Sequence, residues 1–500
     1  MKKIEVILSS FLATALLFSA CGDDKKDEPQ KPDTTPDKPT TEQTAKVKAL
    51  TTSADLSYNL YESGIEYQTG SNMSPSTIRL NPAETYQTID GFGAAITGST
   101  AYNLMKMSQA DRAKFLKQTF SPTEGYGYSY VRIPIGCSDF SLREYTCCDI
   151  PGIENFALTS EETDYIIPVM KEILAINPDV KVMSAPWTAP KWMKVNNLTS
   201  LQPYDSWTGG QLNPKYYQDY ATYFAKWIKA FEAEGIKIYA MTPQNEPLNR
   251  GNSASMYMGW EEQRDFIKTA LGPKFREEGI TTKIYTFDHN YNYDNISDQK
   301  SYPSKIYADA EASQYIAGAA YHNYGGSPEE LNSIHKANPE KELVFTESTA
   351  GDWNDGANLK ARLIDDMEQI TLGTVNRWCR GSIVWNLMLD SNRGPNRPGG
   401  CINGFGAVDL GADNKTIRKN SYYYIMAHMA SAVKPDAKRI GTKGFTASGL
   451  TYAAFQNADG SYALVLCNRT ASPISFTADD GTHHFPATVP ANGILTLSWE

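Results

Sequence analysis

Two glutamates in the 500-residue chain each close an apolar, β-rich run: Glu246 in "KIYAMTPQNEP" (237–247) and Glu347 in "ELVFTEST" (342–349). A carboxylate is costly to bury without a partner, so one held at the end of a strand points to a deliberately placed group. Two carboxyls facing each other across a cleft can cut a glycosidic bond: one protonates the leaving oxygen while the other attacks the anomeric carbon or activates water. Asn245, directly before Glu246, adds a neutral hydrogen-bonding group at the same spot. A single strand-end glutamate could equally be a structural partner of Arg132, and it is the pair that points to catalysis.

The elements that must position them follow from periodicity. From about residue 86, β-rich runs at 91–98, 128–136, 181–187, 237–247, 283–290, 315–324, 342–349 and 381–389 alternate with amphipathic stretches. In one of these stretches Tyr217, Tyr220, Phe224, Trp227 and Phe231 recur at helical spacing, and Gly235 can end the helix. Eight such βα units predict an α/β fold, a (β/α)₈ barrel whose active site lies at the C-terminal ends of its strands. Polar or aromatic residues end nearly every predicted strand: Arg132, Asp139 just beyond the second, Trp187, Asn245 with Glu246, His289, His322 with Tyr324, Glu347, and Trp385 with Asn386.

After about residue 425 helical periodicity gives way to short alternating runs with turns, and residues 46–85 share that character. The expected side domain is an all-β sandwich completed by strands from both ends of the chain. The organisation read from the sequence is a leader at 1–20, a tether at 21–45, N-terminal sandwich strands at 46–85, a catalytic barrel at 86–424 and C-terminal sandwich strands at 425–500.

The leader "MKKIEVILSSFLATALLFSA" has Lys2 and Lys3, an apolar stretch and small residues before Cys21, the pattern of a secretory signal. Its end, "FSAC", resembles a bacterial lipobox, with Phe18 where Leu is usual. The expectation is lipidation at Cys21 and attachment to a membrane through that lipid. The Pro/Thr-rich, charged stretch that follows cannot pack a core. Its "DDKKDE" resembles the export signals of some Gram-negative lipoproteins, so a surface-exposed outer-membrane lipoprotein is expected, against the plainer reading of ordinary linker composition.

Composition narrows the partners. With 41% hydrophobic residues, 11% aromatic residues and a net charge of −10, the chain has the makings of a large core and a surface that disfavours nucleic acid. An uncharged substrate suits it better, and a monomer is expected. No HExxH motif, clustered histidines, G-x-S-x-G or dinucleotide fingerprint is present, so no metal or cofactor is expected. His289 could join a cation-binding loop with Asp288 and Asp294, but a hydrogen-bonded strand-end histidine is the simpler reading. The cysteines beyond Cys21, at 137, 147, 148, 379, 401 and 467, show no zinc-ligand spacing and could form disulfides after export.

The ordered runs "VRIPIGCSDFSLREYT", "SAPWTAPKWMK", "MTPQNEP", "YHNYGG", "VFTESTAG" and "VWNLMLDSNRGPN" resemble glycoside hydrolase family 30, whose members are retaining β-glycosidases. The resemblance runs from about residue 86 to the C-terminus. It implies Glu246 as general acid/base, Asn245 on the sugar 2-hydroxyl and Glu347 as nucleophile. It also implies Asp139, Trp187 and Asn396 as holders of the nonreducing-side sugar and Trp385 as its aromatic floor. His322 and Tyr324 would line the same wall, with Tyr324 bonded to Glu347. Glu246 would then need a raised pKa, expected from apolar neighbours and from the charge of Glu347. Within the family the chain looks most like the endo-β-1,6-glucanases, with a β-glucan as partner. A glucosylceramidase, another β-glycosidase of the family, and a non-catalytic glycan-binding lipoprotein are the alternatives.

Overall fold

The computed structural model describes residues 46–291 and 297–500. The leader, Cys21 and the tether fall outside these residues, as does Asp294. Eight parallel strands close a barrel in sequential order: β1 (Gly91–Ala95), β2 (Tyr130–Ile135), β3 (Lys181–Pro186), β4 (Ala240–Met241), β5 (Lys283–Asn290), β6 (Ile316–His322), β7 (Glu342–Glu347) and β8 (Cys379–Asn386). Their near-continuous apolar sequences match a sheet buried on both faces.

Side chains alternate across each strand, and this alternation builds the barrel interior in layers. One layer is apolar, formed by Tyr130, Met183, Ala240, Tyr285, Ala320, Val344 and Ile383 from β2 to β8. Two residues further along their strands, towards the C-terminal mouth, stand Arg132, Thr242, His322, Thr346 and Trp385. The polar floor of the active face is thus set by register on an apolar plug. Outside the barrel, helix α1 (Tyr217–Ala233) buries Tyr220, Phe224, Trp227 and Phe231, as its spacing predicts, and Gly235 ends it with a φ of 81°.

Strand β4 differs from expectation. The run 237–247 reads as one long strand, yet its ladder covers only Ala240–Met241. Pro243 and Pro247 cannot donate to a ladder, so the chain leaves the sheet between them. It stays pinned to its neighbours by Thr242 N–H on the Ser184 carbonyl (3.0 Å) and Asn245 N–H on the Pro186 carbonyl (2.8 Å). The departure frees Asn245 and Glu246 to turn into the barrel mouth.

The side domain is a ten-stranded sheet folded around a core that includes Ile78, Leu464, Phe476, Phe485, Leu497 and Trp499. The strand at Val47–Ser53 pairs antiparallel with the last strand, Gly493–Trp499, so both ends of the described chain meet in one sheet. The six described cysteines are all free thiols, and among the described residues no helix is long and apolar enough to cross a membrane.

Helix α2 (Ser421–Ala430) is buried along its whole length, in contact with β1 of the barrel and the last strand of the sandwich. From it His428 reaches two sandwich hydroxyls, with Nδ1 2.9 Å from Thr496 Oγ1 and Nε2 2.9 Å from Thr52 Oγ1. Thr496 donates its hydroxyl proton to the His428 carbonyl (3.1 Å), so Nδ1 must be the donor towards it and Nε2 the acceptor from Thr52. Burial holds this ring down to about 3. The neutral ring therefore stabilises the fold in full above its unfolded value of roughly 6.5, and the contribution is lost as pH falls from there. His428→Ala is expected to cost about 3 kcal/mol through two lost buried hydrogen bonds and a cavity. Its melting temperature should also fall less steeply than that of the parent between pH 6.5 and 4, a difference that thermal melts across pH would reveal.

Candidate active site

A cleft of about 270 Å³ opens at the C-terminal mouth of the barrel, lined among others by Asp139, Glu246, His289, Tyr324, Glu347 and Trp385. At its base lies Arg132, fully buried on β2. Its Nη1 donates to Glu347 Oε2 at 2.6 Å, while Nη2 donates to Asn245 Oδ1 and Asp288 Oδ2, each at 2.7 Å. Burial opposes the charge on Arg132, but Asp288 and Glu347 together raise its pKa. The guanidinium carbon also sits 5.0 Å from the Trp187 ring centroid and 5.5 Å from that of Trp385.

Asp288, at the end of β5, accepts from Arg132, from the Thr242 and Thr346 hydroxyls (2.6 Å each) and from His322 Nε2 (3.0 Å). Burial pushes its carboxyl up, but Arg132 and His322 outweigh burial and hold it well below the usual carboxylate range. A register shift between Phe287 and His289 lets Asp288 face inward. Phe287 (φ 72°), Asp288 (φ 67°) and Glu246 (φ 44°) all adopt the left-handed conformation, and the Glu246 N–H donates to the Asp288 carbonyl at 3.0 Å. Such conformations cost about 1–3 kcal/mol each and persist where surrounding contacts over-determine them.

The two glutamates and His322 each place a ligand-type atom within 4.8 Å of the others. Glu347 accepts from Arg132 and from the Tyr324 hydroxyl (3.0 Å). Glu246 accepts from the Asn249 amide (2.8 Å), lies 3.3 Å from His322 Nδ1 and is 3.9 Å from His289 Nε2. The raised pKa expected at Glu246 is not found. Burial does push it up, but the two imidazoles and the Asn249 amide bring it down to about 2. The largest downward push is that of a charged His289, a ring that burial itself holds down to about 4. Near neutrality the pull therefore comes mainly from His322. Burial opposes a charge on that ring, but Glu347 and Asp288 raise it to about 9. The Glu246–His322 pair thus carries one proton at neutral pH, held on the ring next to the carboxylate. His322 has both nitrogens engaged by carboxylates and no lone pair to spare, so this trio does not fit a metal ion.

Asp139 lines the cleft, and its Oδ1 is shut off from solvent without a hydrogen-bond partner. Burial, reinforced by Glu347 and Glu246, pushes it up to about 8, so the group is a neutral acid near pH 7. Trp385 stacks on Trp187 with ring centroids 5.0 Å apart, and its Nε1 also lacks a partner. Two unsatisfied polar groups in one cleft are what a hydroxyl-bearing ligand would complete. Asn396 does not line the cleft; its amide donates to the Arg393 carbonyl of its own loop at 3.0 Å.

The structure thus brings together Asp139, Asn245, Glu246, His322, Tyr324, Glu347 and Trp385, with Trp187 beneath. Sequence reading gave Asp288 and His289 too little weight, although an aspartate and a histidine closing the apolar run "IYTF" were a visible signal. Asn249 and Asn252 come from irregular segments and Trp353 from a single 3₁₀ turn (Asp352–Asn354), and none carried such a signal.

The family model for the glycosyl hydrolase family 30 TIM-barrel domain matches residues 89–433, and that for the family 30 beta sandwich domain matches residues 436–497. The solved structure of the endo-β1,6-glucanase BT3312 is 63% identical with a TM-score of 0.89, covering 91% of this chain and 99% of that one. An endo-1,6-β-D-glucanase of Neurospora crassa is 31% identical over 457 residues, 86% of this chain and 90% of that protein. The lysosomal acid glucosylceramidase of Mus musculus is 28% identical over 459 residues, 84% and 83% of the two chains. The two models cover barrel and sandwich in the order in which the chain folds them, and the chain belongs to glycosyl hydrolase family 30.

Proposed function

We propose that the protein is a retaining endo-β-1,6-glucanase with Glu347 as nucleophile and Glu246 as general acid/base. The observation that carries the chemistry is the approach of their carboxylate oxygens to within 4.8 Å across the cleft. Retaining enzymes hold their carboxyls roughly 5–5.5 Å apart, whereas inverting ones leave room for a water between them. The linkage rests on 63% identity to an endo-β1,6-glucanase over nearly the whole of that chain, against 28% to a glucosylceramidase.

In the first step Glu347, held by Arg132 and aligned by Tyr324, attacks the anomeric carbon as the carboxylate; burial pushes its pKa up, and the charges of His322 and Arg132 oppose that push. The proton shared between His322 and Glu246 passes through Glu246 to the leaving oxygen. Substrate binding expels water, which disfavours the ion pair and shifts the proton from the ring to the carboxylate. In the second step Glu246 takes a proton from the attacking water as the ester breaks. Asn245 has its carbonyl oxygen fixed by Arg132, so its amide N–H groups remain for a sugar hydroxyl. Asp139 and the Trp385 Nε1 would take further hydroxyls, over the stacked Trp385 and Trp187 floor. The leader at 1–20 and the tether that begins at Cys21 support export and lipid anchoring at the surface of an outer membrane, where a glucan would be met outside the cell.

Incubation with β-1,6-glucan should give a ladder of oligosaccharides that shortens with time, with retained anomeric configuration by NMR. Inversion, or the absence of products, would sink the reading. Glu347→Gln should lower kcat by roughly 10³-fold or more. Glu246→Ala should regain activity with azide on substrates bearing good leaving groups. In pH profiles kcat/KM should fall as pH rises through about 9, where His322 gives up its proton. A His322→Gln variant should lose that alkaline limb along with most of its activity, and an unchanged limb would remove His322 from the proton path.

A further inference from the structure

A second concavity, of about 360 Å³, lies on the sandwich and is formed by residues that catalysis does not use. Tyr58 and Tyr61 line it with 43% and 55% of their surfaces exposed, their ring centroids 5.8 Å apart. Half-exposed aromatics are common singly, but two in contact over a groove make a patch of the kind that marks a binding surface. Among the described residues neither phenol hydroxyl has a hydrogen-bond partner, so both retain donor and acceptor capacity. The tyrosines are held in place. Ala54 N–H donates to the Asn492 carbonyl (2.9 Å), Tyr58 N–H to Ser53 Oγ (3.0 Å) and Leu60 N–H to Thr52 Oγ1 (3.1 Å), and Leu56 and Leu60 take left-handed conformations. A loop tied down in this way presents its rings with little ordering cost on binding.

The chemistry of the rest of the lining selects among ligands. Thr51, Ser63 and Thr488 contribute hydroxyls, the other lining groups are apolar, and no charged side chain lines the groove. On a chain of net charge −10 this is a neutral patch, unsuited to an anionic polymer or an acidic peptide. A neutral polyhydroxyl chain, with C–H faces for the rings and hydroxyls for the rim, matches both kinds of group.

We propose that Tyr58 and Tyr61 form a non-catalytic carbohydrate-binding site on the sandwich that holds a segment of neutral glucan while the barrel cleaves the chain elsewhere. The choice of glucan rests on the function proposed above. Two sites on one polymer raise retention through effective concentration, with no new contact at the cleft.

The test is affinity electrophoresis of the full chain in gels containing soluble β-1,6-glucan, with β-1,3- and β-1,4-glucan gels in parallel. The Glu347→Gln background keeps the ligand intact. Adding Tyr58→Ala and Tyr61→Ala is expected to weaken retardation by roughly tenfold. The same pair of changes in the active enzyme should leave kcat/KM on a short gluco-oligosaccharide within about twofold, because neither residue lines the cleft. Tyr61→Ser alone, at the more exposed position, should give a smaller loss in the same direction, and thermal melts check that each variant is folded. Retardation of the double variant equal to that of its parent would overturn the site, as would a parent that no glucan retards. A parent retarded through the tyrosines by another glucan, with no cleavage of β-1,6-glucan, would sink the proposed linkage and leave the site standing.

Discussion

The active face depends on one buried cation. Arg132 has no exposed surface, and an unpaired charge in that position would cost several kcal/mol. It is tolerable only because Asp288, Glu347 and the Asn245 carbonyl oxygen surround it with acceptors on three different strand ends. The dependence runs both ways. Removing the guanidinium would leave Asp288 and Glu347 with only the partial compensation of His322, a kind of loss that typically costs about 3–5 kcal/mol. Arg132 therefore ties the end of β5 to the end of β7 at the mouth and, together with His322, opposes the burial that raises the pKa of Glu347.

Backbone strain is concentrated around the same ion. The left-handed residues Phe287, Asp288 and Glu246 meet where the Glu246 N–H bonds the Asp288 carbonyl. A regular β5 would alternate Asp288 away from the barrel axis, and a regular β4 would carry Glu246 straight past the cleft. The register shift in one strand and the proline-flanked exit of the other turn both carboxylates inward; Arg132, Thr242, Thr346 and His322 hold Asp288 there, and Asn249 and His322 hold Glu246.

The barrel was legible in the sequence because its strands are apolar on both faces and its helices keep a 3.6-residue period, a pattern that survives without tertiary information. The same logic found Glu246 and Glu347, since a carboxylate ending an apolar run is conspicuous. It erred on the length of β4, reading 237–247 as one strand although Pro243 and Pro247 interrupt it and the ladder covers only Ala240–Met241. It also misjudged the electrostatics of Glu246. The pKa of that residue is set by His322 and His289, which lie on other strands, and one-dimensional reading gives no measure of such approaches. Asn249 and Asn252 were missed for a related reason: their backbone is irregular, and only folding brings them onto Glu246.

The arrangement has an electrostatic consequence for the proposed reaction. Before glycosylation the buried site holds the Arg132 cation, the Asp288 and Glu347 anions, and a Glu246–His322 pair carrying one proton. In the first step Glu347 loses its charge by forming the ester, and the pair loses its proton to the leaving group. The net charge of the site is the same on both sides of the step, so no uncompensated charge appears in the low-dielectric interior, where it would be most costly. His322 links the two events. Apart from burial, which opposes its charge, Glu347 is the strongest influence holding its proton. As that charge is consumed, His322 holds its proton less tightly, at the moment when Glu246 must deliver one. Hydrolysis of the ester reverses both changes together: Glu347 regains its charge as water returns a proton to the pair. In the proposed reaction Glu347 and Glu246 are thus coupled through a ring that need touch neither the sugar nor the water.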